Sequence, residues 1–488
     1  MKLKDIFFNC NIKLDENVEE IEIKDIKIDP NEVCRGDLFF DLKAKENLNA
    51  IFAKGASFVV RLGRKTKIEK KVLSVKDVRH IFALASKNFY KKACDKLKII
   101  GITGTNGKTS AVKLVADILE NCGKVVGRIG TFGCIYLNNH IETGFTTPDP
   151  HILHNLFHKM QKSGVEYVVM EVSAHSIALK KLDGIKFECL ALTNITEDHL
   201  DFFENMENYS STKLSFFTAE HAKQGVVCAD DNYFFKLTEM SNIPLVSYGV
   251  NCPSDIFAID IDSNFNGTSF ICNCLDEIMN VKTELIGEYN VLNSLCAIGI
   301  TRLLGFDCRQ INKGIRRSSP EIGRFNVIKQ NGINVIVDYA HTPDGLQKVL
   351  ITAKSLCLGK LYVLFGCGGN RDPLKRGIMG SVAEMYADYV FLTSDNPRFE
   401  DPEKIIDDIE SGMVKKNHER EVDRKISIEK ALGVCKNGDC LIIAGKGGEN
   451  YQDIKGQKTA YSDFDEVYKF FRKEFKLIDV GDNLKHGS

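Results

Sequence analysis

The sequence predicts an α/β protein of three domains, with a mostly parallel sheet at its centre and a second, smaller α/β domain following it. Three observations support that class. Between about residues 86 and 318, apolar strand-like runs at 99–103, 125–129, 165–171, 189–193 and 225–229 alternate with stretches of helical spacing, the pattern of parallel strands joined by helical crossovers. The first run leads into a glycine-rich turn and a helix, where Val112, Leu114, Val115, Ile118 and Leu119 recur at helical spacing. From about residue 319 the alternation restarts, with runs at 335–339, 361–365, 389–393 and 440–443.

Ahead of these, strand-like runs at 21–28, 38–42 and 57–62 and a helix-like stretch at 45–54 mark an accessory N-terminal domain. The expected boundaries are 1–85, 86–318 and 319–488, in keeping with about 150 residues per domain. Bulk composition excludes several classes. No apolar run approaches the ~20 residues that span a bilayer, and Lys2, Lys4 and Asp5 precede too short an apolar stretch for a signal peptide. A formal net charge of −1 argues against a broad nucleic-acid surface. The 16 cysteines show no CxxC pair or metal-finger spacing and read as free thiols of a reducing cytoplasm, most of them small core residues.

The segment from Gly101 to Ser110 carries the strongest chemical signal. Gly104, Thr105, Asn106 and Gly107 form a turn whose backbone N–H groups can face phosphates, while the helix start adds positive potential. Lys108 can reach the β/γ oxygens and Thr109 can ligate Mg²⁺, where a bland reading leaves only a tight turn with a chance lysine. Side chains beyond the carboxyl ends of parallel strands face the ligand, so Glu171, at the end of its strand, stands where a second Mg²⁺ ligand is wanted. Asn194, Asp198, His199 and Asp201 share the next turn-rich segment, although a lone histidine like His199 is more often structural. Lys213 lies on the following helix among aromatics that pack inward and carry it toward the cleft, and its residue type alone suggests only a solvated charge. In the last domain Arg371 and Arg398 sit on loops after strands, where each could fork onto a carboxylate or form a surface salt bridge. The turn holding Gly445 and Glu449 mimics a phosphate loop but lacks Ser/Thr after its lysine, and Glu449 suits a ligand ammonium.

Taken in order, these motifs resemble one family over nearly the whole chain, the Mur ligases. The matching residues include Gly104 to Thr109, Thr146 and Thr147, Glu171 to His175, Thr193 and Asn194, Asp198 to Asp201, Tyr209 to Phe217, Gly287 to Asn293, Pro320 to Arg324, Asp338 to Asp344, Asp395 to Arg398 and Gly445 to Glu449. The resemblance implies a three-domain architecture: a small α/β N-terminal domain for a UDP-linked substrate, a P-loop central domain and a Rossmann-like C-terminal domain for an amino acid. It implies an ATP-dependent amide ligase of peptidoglycan precursor synthesis, a cytoplasmic monomer using ATP and Mg²⁺. Lys108 and Arg324 would meet the γ-phosphate, Thr109 and Glu171 one metal, His199 a second, and Lys213 would be carbamylated to N6-carboxylysine. Asn290, Asn293 and Asp338 would face adenine and ribose, with His341 near the phosphates. Thr146, Thr147, Ser173 and Lys181 would hold the UDP-N-acetylmuramoyl dipeptide. Asp395, Asn396, Arg398, Arg371, Gly445 and Glu449 would hold a diamino acid, and Arg398 is the residue that marks members adding meso-diaminopimelate, whose distal carboxylate an arginine can read.

The chain departs from the family pattern at its edges. Asp29, Pro30 and Asn31 replace the usual uridine motif, Lys181 stands for an arginine, and Gly448 for a histidine. Competing readings are the same ligation with L-lysine or ornithine, a folylpolyglutamate synthetase, and a non-catalytic P-loop nucleotide-binding protein.

Overall fold

The structure, a computed structural model, describes residues 1–64 and 66–472, so the tail of the C-terminal domain expected over 319–488 lies outside the described residues. The N-terminal sheet runs β1 (Ile26–Lys27), β2 (Leu38–Asp41), β3 (Phe58–Leu62), β5 (Val72–Val75) and β4 (Lys67–Glu69), all parallel except β4. The strand expected over 21–28 pairs in this sheet only at its end. Its first half bonds instead to the start of the chain, Leu3 N to Ile21 O and Ile23 N to Met1 O. The helix expected over 45–54 forms as Leu48–Ala53, capped by the Asn47 side chain, which accepts from the Asn49 and Ala50 amides.

The central sheet has eleven strands. Its middle is parallel, in the order β13 (Leu245–Gly249), β12 (Gly225–Cys228), β11 (Cys189–Leu192), β6 (Lys98–Thr103), β10 (Tyr167–Glu171) and β7 (Val126–Gly130). These strands are predominantly apolar because both faces are covered, with charged residues such as Lys98, Arg128 and Glu171 the exceptions. Ile100 and Ile102 pack with the helices Lys108–Asn121 and Glu288–Leu303 on one face, whereas Ile99 packs with the helix Pro150–Lys162 on the other. Each such buried branched side chain stabilises by roughly 1.5–3 kcal/mol relative to exposure. Beyond the parallel core, antiparallel meanders extend both edges: β8 (Gly133–Tyr136) and β9 (Asn139–Ile141) beside β7, and β14 (Ile256–Asn264), β15 (Gly267–Cys274) and β16 (Glu277–Thr283) beside β13. The sheet is therefore more mixed than the strand and helix alternation suggests.

The C-terminal sheet has the order β17 (Asn326–Gln330), β18 (Ile333–Val337), β22 (Cys440–Ile443), β19 (Leu361–Phe365), β20 (Tyr389–Leu392) and β21 (His418–Arg420), with only β17 antiparallel. A small hairpin, β23 (Tyr451–Ile454) and β24 (Gln457–Ala460), follows. The cysteines described are all free thiols and mostly buried. No helix among the described residues is long and apolar enough to cross a membrane.

The helix Val78–Phe89 packs on Pro150–Lys162 and joins the N-terminal unit to the central one, with His80 Nδ1 and Asp183 Oδ2 at 2.6 Å. In that second helix His154 is 1% exposed, and among the described residues neither ring nitrogen has a hydrogen-bond partner. Burial pushes its pKa down to about 3. The unfolded chain takes up this proton near pH 6.5, so the neutral ring's contribution is complete above that pH and is lost as pH falls toward 3. Between pH 7 and pH 5 this amounts to about 2 kcal/mol. Urea midpoints at the two pH values should therefore converge in His154→Leu relative to the parent, and an unchanged gap would contradict the assignment.

Candidate active site

β6 ends between β10 and β11, and the chain leaves it in one direction and returns on both sides, which makes its carboxyl end a topological switch point. The segments after these three strands converge there, opposite the loops after β18, β19, β20 and β22 of the C-terminal sheet. Together they line a cavity of about 750 Å³.

The phosphate loop needs its glycines. Gly104 has φ +150°, and a Cβ there would lie 1.9 Å from Thr193 Oγ1; Gly107, at φ +87°, caps the helix Lys108–Asn121. Asn194 accepts from the Asn106 amide at 2.9 Å, and Thr193 Oγ1 donates to Asn106 O at 2.6 Å, so the loop is held by the segment after β11. Lys108 Nζ donates to Gly104 O and Thr105 O at 2.9 and 2.8 Å, and burial lowers its pKa.

Thr109 Oγ1 donates to Glu171 Oε1 at 3.0 Å, and Arg324 Nη2 donates to Thr109 Oγ1 at 3.1 Å. Glu171 is 2% exposed and also accepts the Thr131 amide at 2.9 Å. Among the described residues no cluster of three or more His, Cys, Asp or Glu could hold a metal alone. A hydroxyl beside a buried carboxylate nevertheless fits Mg²⁺, which takes few protein oxygens and fills its octahedron with phosphate and water.

His199 adopts φ +57° and its Nε2 lies 3.3 Å from Asp198 Oδ2, with the His175 ring 4.8 Å away. Burial lowers the His199 pKa to about 4 despite Asp198, and burial also brings His341 to about 4, so both rings are neutral at pH 7. His341 Nδ1 lies 2.8 Å from Tyr339 O; a neutral ring donating there leaves Nε2 as an acceptor. Burial opposes the charge on Asp198, but His199, Lys375, His341 and Lys108 outweigh it and hold the carboxyl below its ordinary range.

Lys213 does not line the cavity. It is 1% exposed behind the phosphate loop and donates to Gly104 O at 2.9 Å, with its ammonium 4.8 Å from the Tyr209 ring centre. The expected helix Met206–Leu214 thus turns this lysine inward to the back of the loop instead of into the cleft, because Tyr209 and Lys213 share its buried face. Burial, reinforced by Lys108, holds its pKa well below the usual lysine value. Gly104 likewise lies behind the wall, while Thr105 to Ser110 form part of it.

On the side expected to face the nucleotide, Asn293 Nδ2 donates to Asn290 Oδ1 at 3.0 Å and Asn290 Nδ2 to Ile286 O at 2.9 Å. Asp338 accepts the Phe325 and Ala340 amides, both at 2.7 Å, so it also fixes the backbone after Arg324. On the opposite side, Thr147 Oγ1 donates to Glu171 O at 2.9 Å and accepts the Ser173 amide at 3.1 Å. Thr146 Oγ1 meets Thr131 Oγ1 at 3.3 Å. Lys181 Nζ pairs with Asp149 at 2.9 Å.

The C-terminal loops bring Arg371, Asp395, Asn396, Arg398, Gly445 and Glu449 to the same cavity. Arg398 Nη1 donates to Gly369 O at 2.6 Å. Glu449 is not free: its Oε2 accepts from Lys446 Nζ at 3.0 Å and Asn396 Nδ2 at 2.8 Å. Sequence reasoning gave no role to Lys446 or to Asp344, which accepts from Asn106 Nδ2 at 2.8 Å, although both lie in matched motifs, and it missed Thr131 and Lys375, whose ammonium reaches within 3.9 Å of Asp198 across the cleft. Lys375 stands in the first turn of the helix Leu374–Tyr386 that follows the Arg371 loop, and nothing local in the sequence marks it.

Residues 102–301 match the family model of the Mur ligase middle domain, and residues 323–447 that of the Mur ligase, glutamate ligase domain. The UDP-N-acetylmuramoyl-L-alanyl-D-glutamate–2,6-diaminopimelate ligase of Clostridium tetani is 37% identical over 481 residues, covering 96% of this chain and 99% of the relative. Its namesake from Aquifex aeolicus is 36% identical over 446 residues, covering 90% and 92%. A solved structure bearing the same enzyme name superposes with a TM-score of 0.70 at 28% identity, covering 97% and 99% of the two chains. MurF ligase from Thermotoga maritima, solved with ADP, gives 0.63 at 18% identity over 93% and 98%, a likeness of fold.

Replacing Gly104 by alanine forces a strained φ and drives Cβ into Thr193. Nucleotide affinity, read by titration of a fluorescent ATP analogue, should fall at least about tenfold with a lowered melting temperature. Parent-like affinity would contradict the loop's role.

Proposed function

The chain belongs to the Mur ligase family, and from that footing we propose that it joins meso-diaminopimelate to the D-Glu γ-carboxylate of UDP-N-acetylmuramoyl-L-Ala-D-Glu, with ATP converted to ADP and phosphate. The observation that carries this reading is the meeting, in one cavity, of a phosphate loop from the central sheet with Arg398, Asn396 and Glu449 from the C-terminal sheet.

A carboxylate is a poor electrophile, so its oxygen first attacks the γ-phosphorus of ATP, the bond to ADP breaks, and an acyl phosphate forms. The free-base amine of the diamino acid then adds to the acyl carbon, loses a proton, and the tetrahedral adduct expels phosphate to leave the amide. Lys108 and Arg324 screen the transferring phosphoryl group, and the helix start after Gly107 adds its dipole. Thr109 and Glu171 would hold Mg²⁺, with His199 at a second metal position, and the ion would supply positive charge against the phosphates. Thr146, Thr147, Ser173 and Lys181 orient the dipeptide so that acid and phosphate meet in line. Arg371 and Arg398 suit the distal carboxylate of diaminopimelate and Glu449 its ammonium. The reaction serves peptidoglycan precursor synthesis in the cytoplasm, with the enzyme acting as a monomer.

Burial holds the Lys213 pKa well below the usual lysine value, which favours carbamylation, since only an unprotonated amine adds CO₂. Incubation with ¹³C-bicarbonate should give a carbamate NMR resonance that is missing in Lys213→Ala; its absence in the parent would refute the modification.

Arg398→Ala should lower kcat/KM for meso-diaminopimelate by roughly 10² or more, because a bidentate, charge-assisted contact is lost. Arg398→Lys should recover little of it. Unchanged diaminopimelate turnover, or a parent enzyme that prefers L-lysine, would refute the substrate assignment.

A further inference from the structure

We infer that Lys446 is a positioning residue for the diamino acid: its ammonium, held outside the cavity, orients the Asn396 amide and the Glu449 carboxylate that face the substrate's distal centre. The inference rests on the ligase reading above and deepens it.

Lys446 is 0% exposed and does not line the cavity, whereas its neighbour Gly445 and its partners Asn396 and Glu449 do. Its Nζ donates to Asn396 Oδ1 at 3.0 Å and to Glu449 Oε2 at 3.0 Å. The rings of Tyr451 and Tyr461 lie 5.6 and 5.8 Å away, so the cation is enclosed by two oxygens and two aromatic faces. A buried ammonium is tolerated only where its charge is paired and its donors are used, and here the pairing partners are the two side chains that meet the ligand.

The bonding pattern fixes both groups. Asn396 Oδ1 accepts from Lys446 and also from the Asp453 amide at 2.9 Å, which occupies both lone pairs. The amide therefore turns its Nδ2 toward Glu449 Oε2, at 2.8 Å. With Oε2 taken by two protein donors, Oε1 is the oxygen left for a ligand ammonium. The hairpin β23–β24 supports the arrangement. Arg398 N donates to Asp453 O at 3.0 Å, Lys455 N to Arg398 O at 2.6 Å, and Gln452 Nε2 to Asp395 O at 2.9 Å, which holds Arg398 at φ +50°.

Charge follows from the same geometry. Lys446 neutralises Glu449, so with Arg398 the subsite suits a distal centre that carries an ammonium and a carboxylate together. Without Lys446, Glu449 would stand uncompensated and favour a distal ammonium alone, which is the lysine side chain.

The test compares the parent, Lys446→Met, Glu449→Met and the double variant by phosphate release with ATP, the UDP-linked dipeptide and either meso-diaminopimelate or L-lysine. Lys446→Met should raise KM for diaminopimelate about tenfold or more, hold KM for the dipeptide and ATP within about twofold, and narrow the preference over lysine. In the Glu449→Met background, where only the Asn396 contact remains for Lys446 to orient, removing Lys446 should cost clearly less than it does in the parent. A parallel rise of all three KM values, an unaltered preference, or additive losses in the double variant would overturn the inference. A parent enzyme without diaminopimelate turnover would remove the ligase reading itself, a result distinct from any of these.

Discussion

One guanidinium ties the two halves of this site together. Arg324 leaves the chain just before the first strand of the C-terminal sheet, stacks 4.3 Å from the centre of the Tyr339 ring, and donates to Thr109 at the start of the phosphate-loop helix. Thr109 in turn donates to the buried Glu171. Asp338 fixes the backbone at Phe325, so the arginine reaches Thr109 from a rigid support. The central and C-terminal sheets are thereby brought into register at the place where a phosphoryl group and its acceptor must meet. Asn106 to Asp344 and Lys375 to Asp198 add further polar links across the same cleft, and Arg128 pairs with Glu321 outside it.

This arrangement divides the chemistry. The central sheet supplies what any phosphoryl transfer needs: inward-facing amides, a lysine, and a hydroxyl beside a carboxylate. In the proposed ligation the C-terminal sheet would supply the choice of amine, through loops after β19, β20 and β22 that hang from buried apolar strands. A buried ion pair, Arg424 to Asp463 at 2.8 Å, anchors the β22 loop by donating also to Ala444 O at 2.9 Å. Such a pair contributes position more than net stability, since removing two charges from water offsets most of their attraction.

The parts of the fold that could be read in advance are those whose signal is local. The phosphate loop is written in six consecutive residues, Gly104 to Thr109, and the parallel strands are largely apolar runs because both faces are covered. The meander β14–β16 was not legible, as its first strand buries only Ile256 and Ala258 and its outer half, with Asp260, Asp262, Ser263 and Asn264, is polar and exposed or half-buried, which reads as loop. The site shows the same division. Glu171 at a strand end and Arg398 on the loop after a strand announce themselves, whereas Lys446 acquires its meaning from Asn396, fifty residues upstream, and Lys213 from the Gly104 carbonyl. A lysine's type says nothing about whether it is solvated or buried; only the packing of Tyr209 and the phosphate loop decides that for Lys213. The alternative of a non-catalytic nucleotide-binding protein loses ground for the same reason, since nucleotide binding alone gives no use for a second, distant loop set converging on the phosphate end of the cavity.

The central claim is that acid activation and amine choice occur in one cavity. The most direct measurement is phosphate release from ATP with the UDP-linked dipeptide, with and without meso-diaminopimelate, set beside L-lysine and L-ornithine. Release that requires dipeptide and diaminopimelate together, with the other two amines poor, is the result this account predicts. Release that ignores the amine, or that favours lysine, would contradict it.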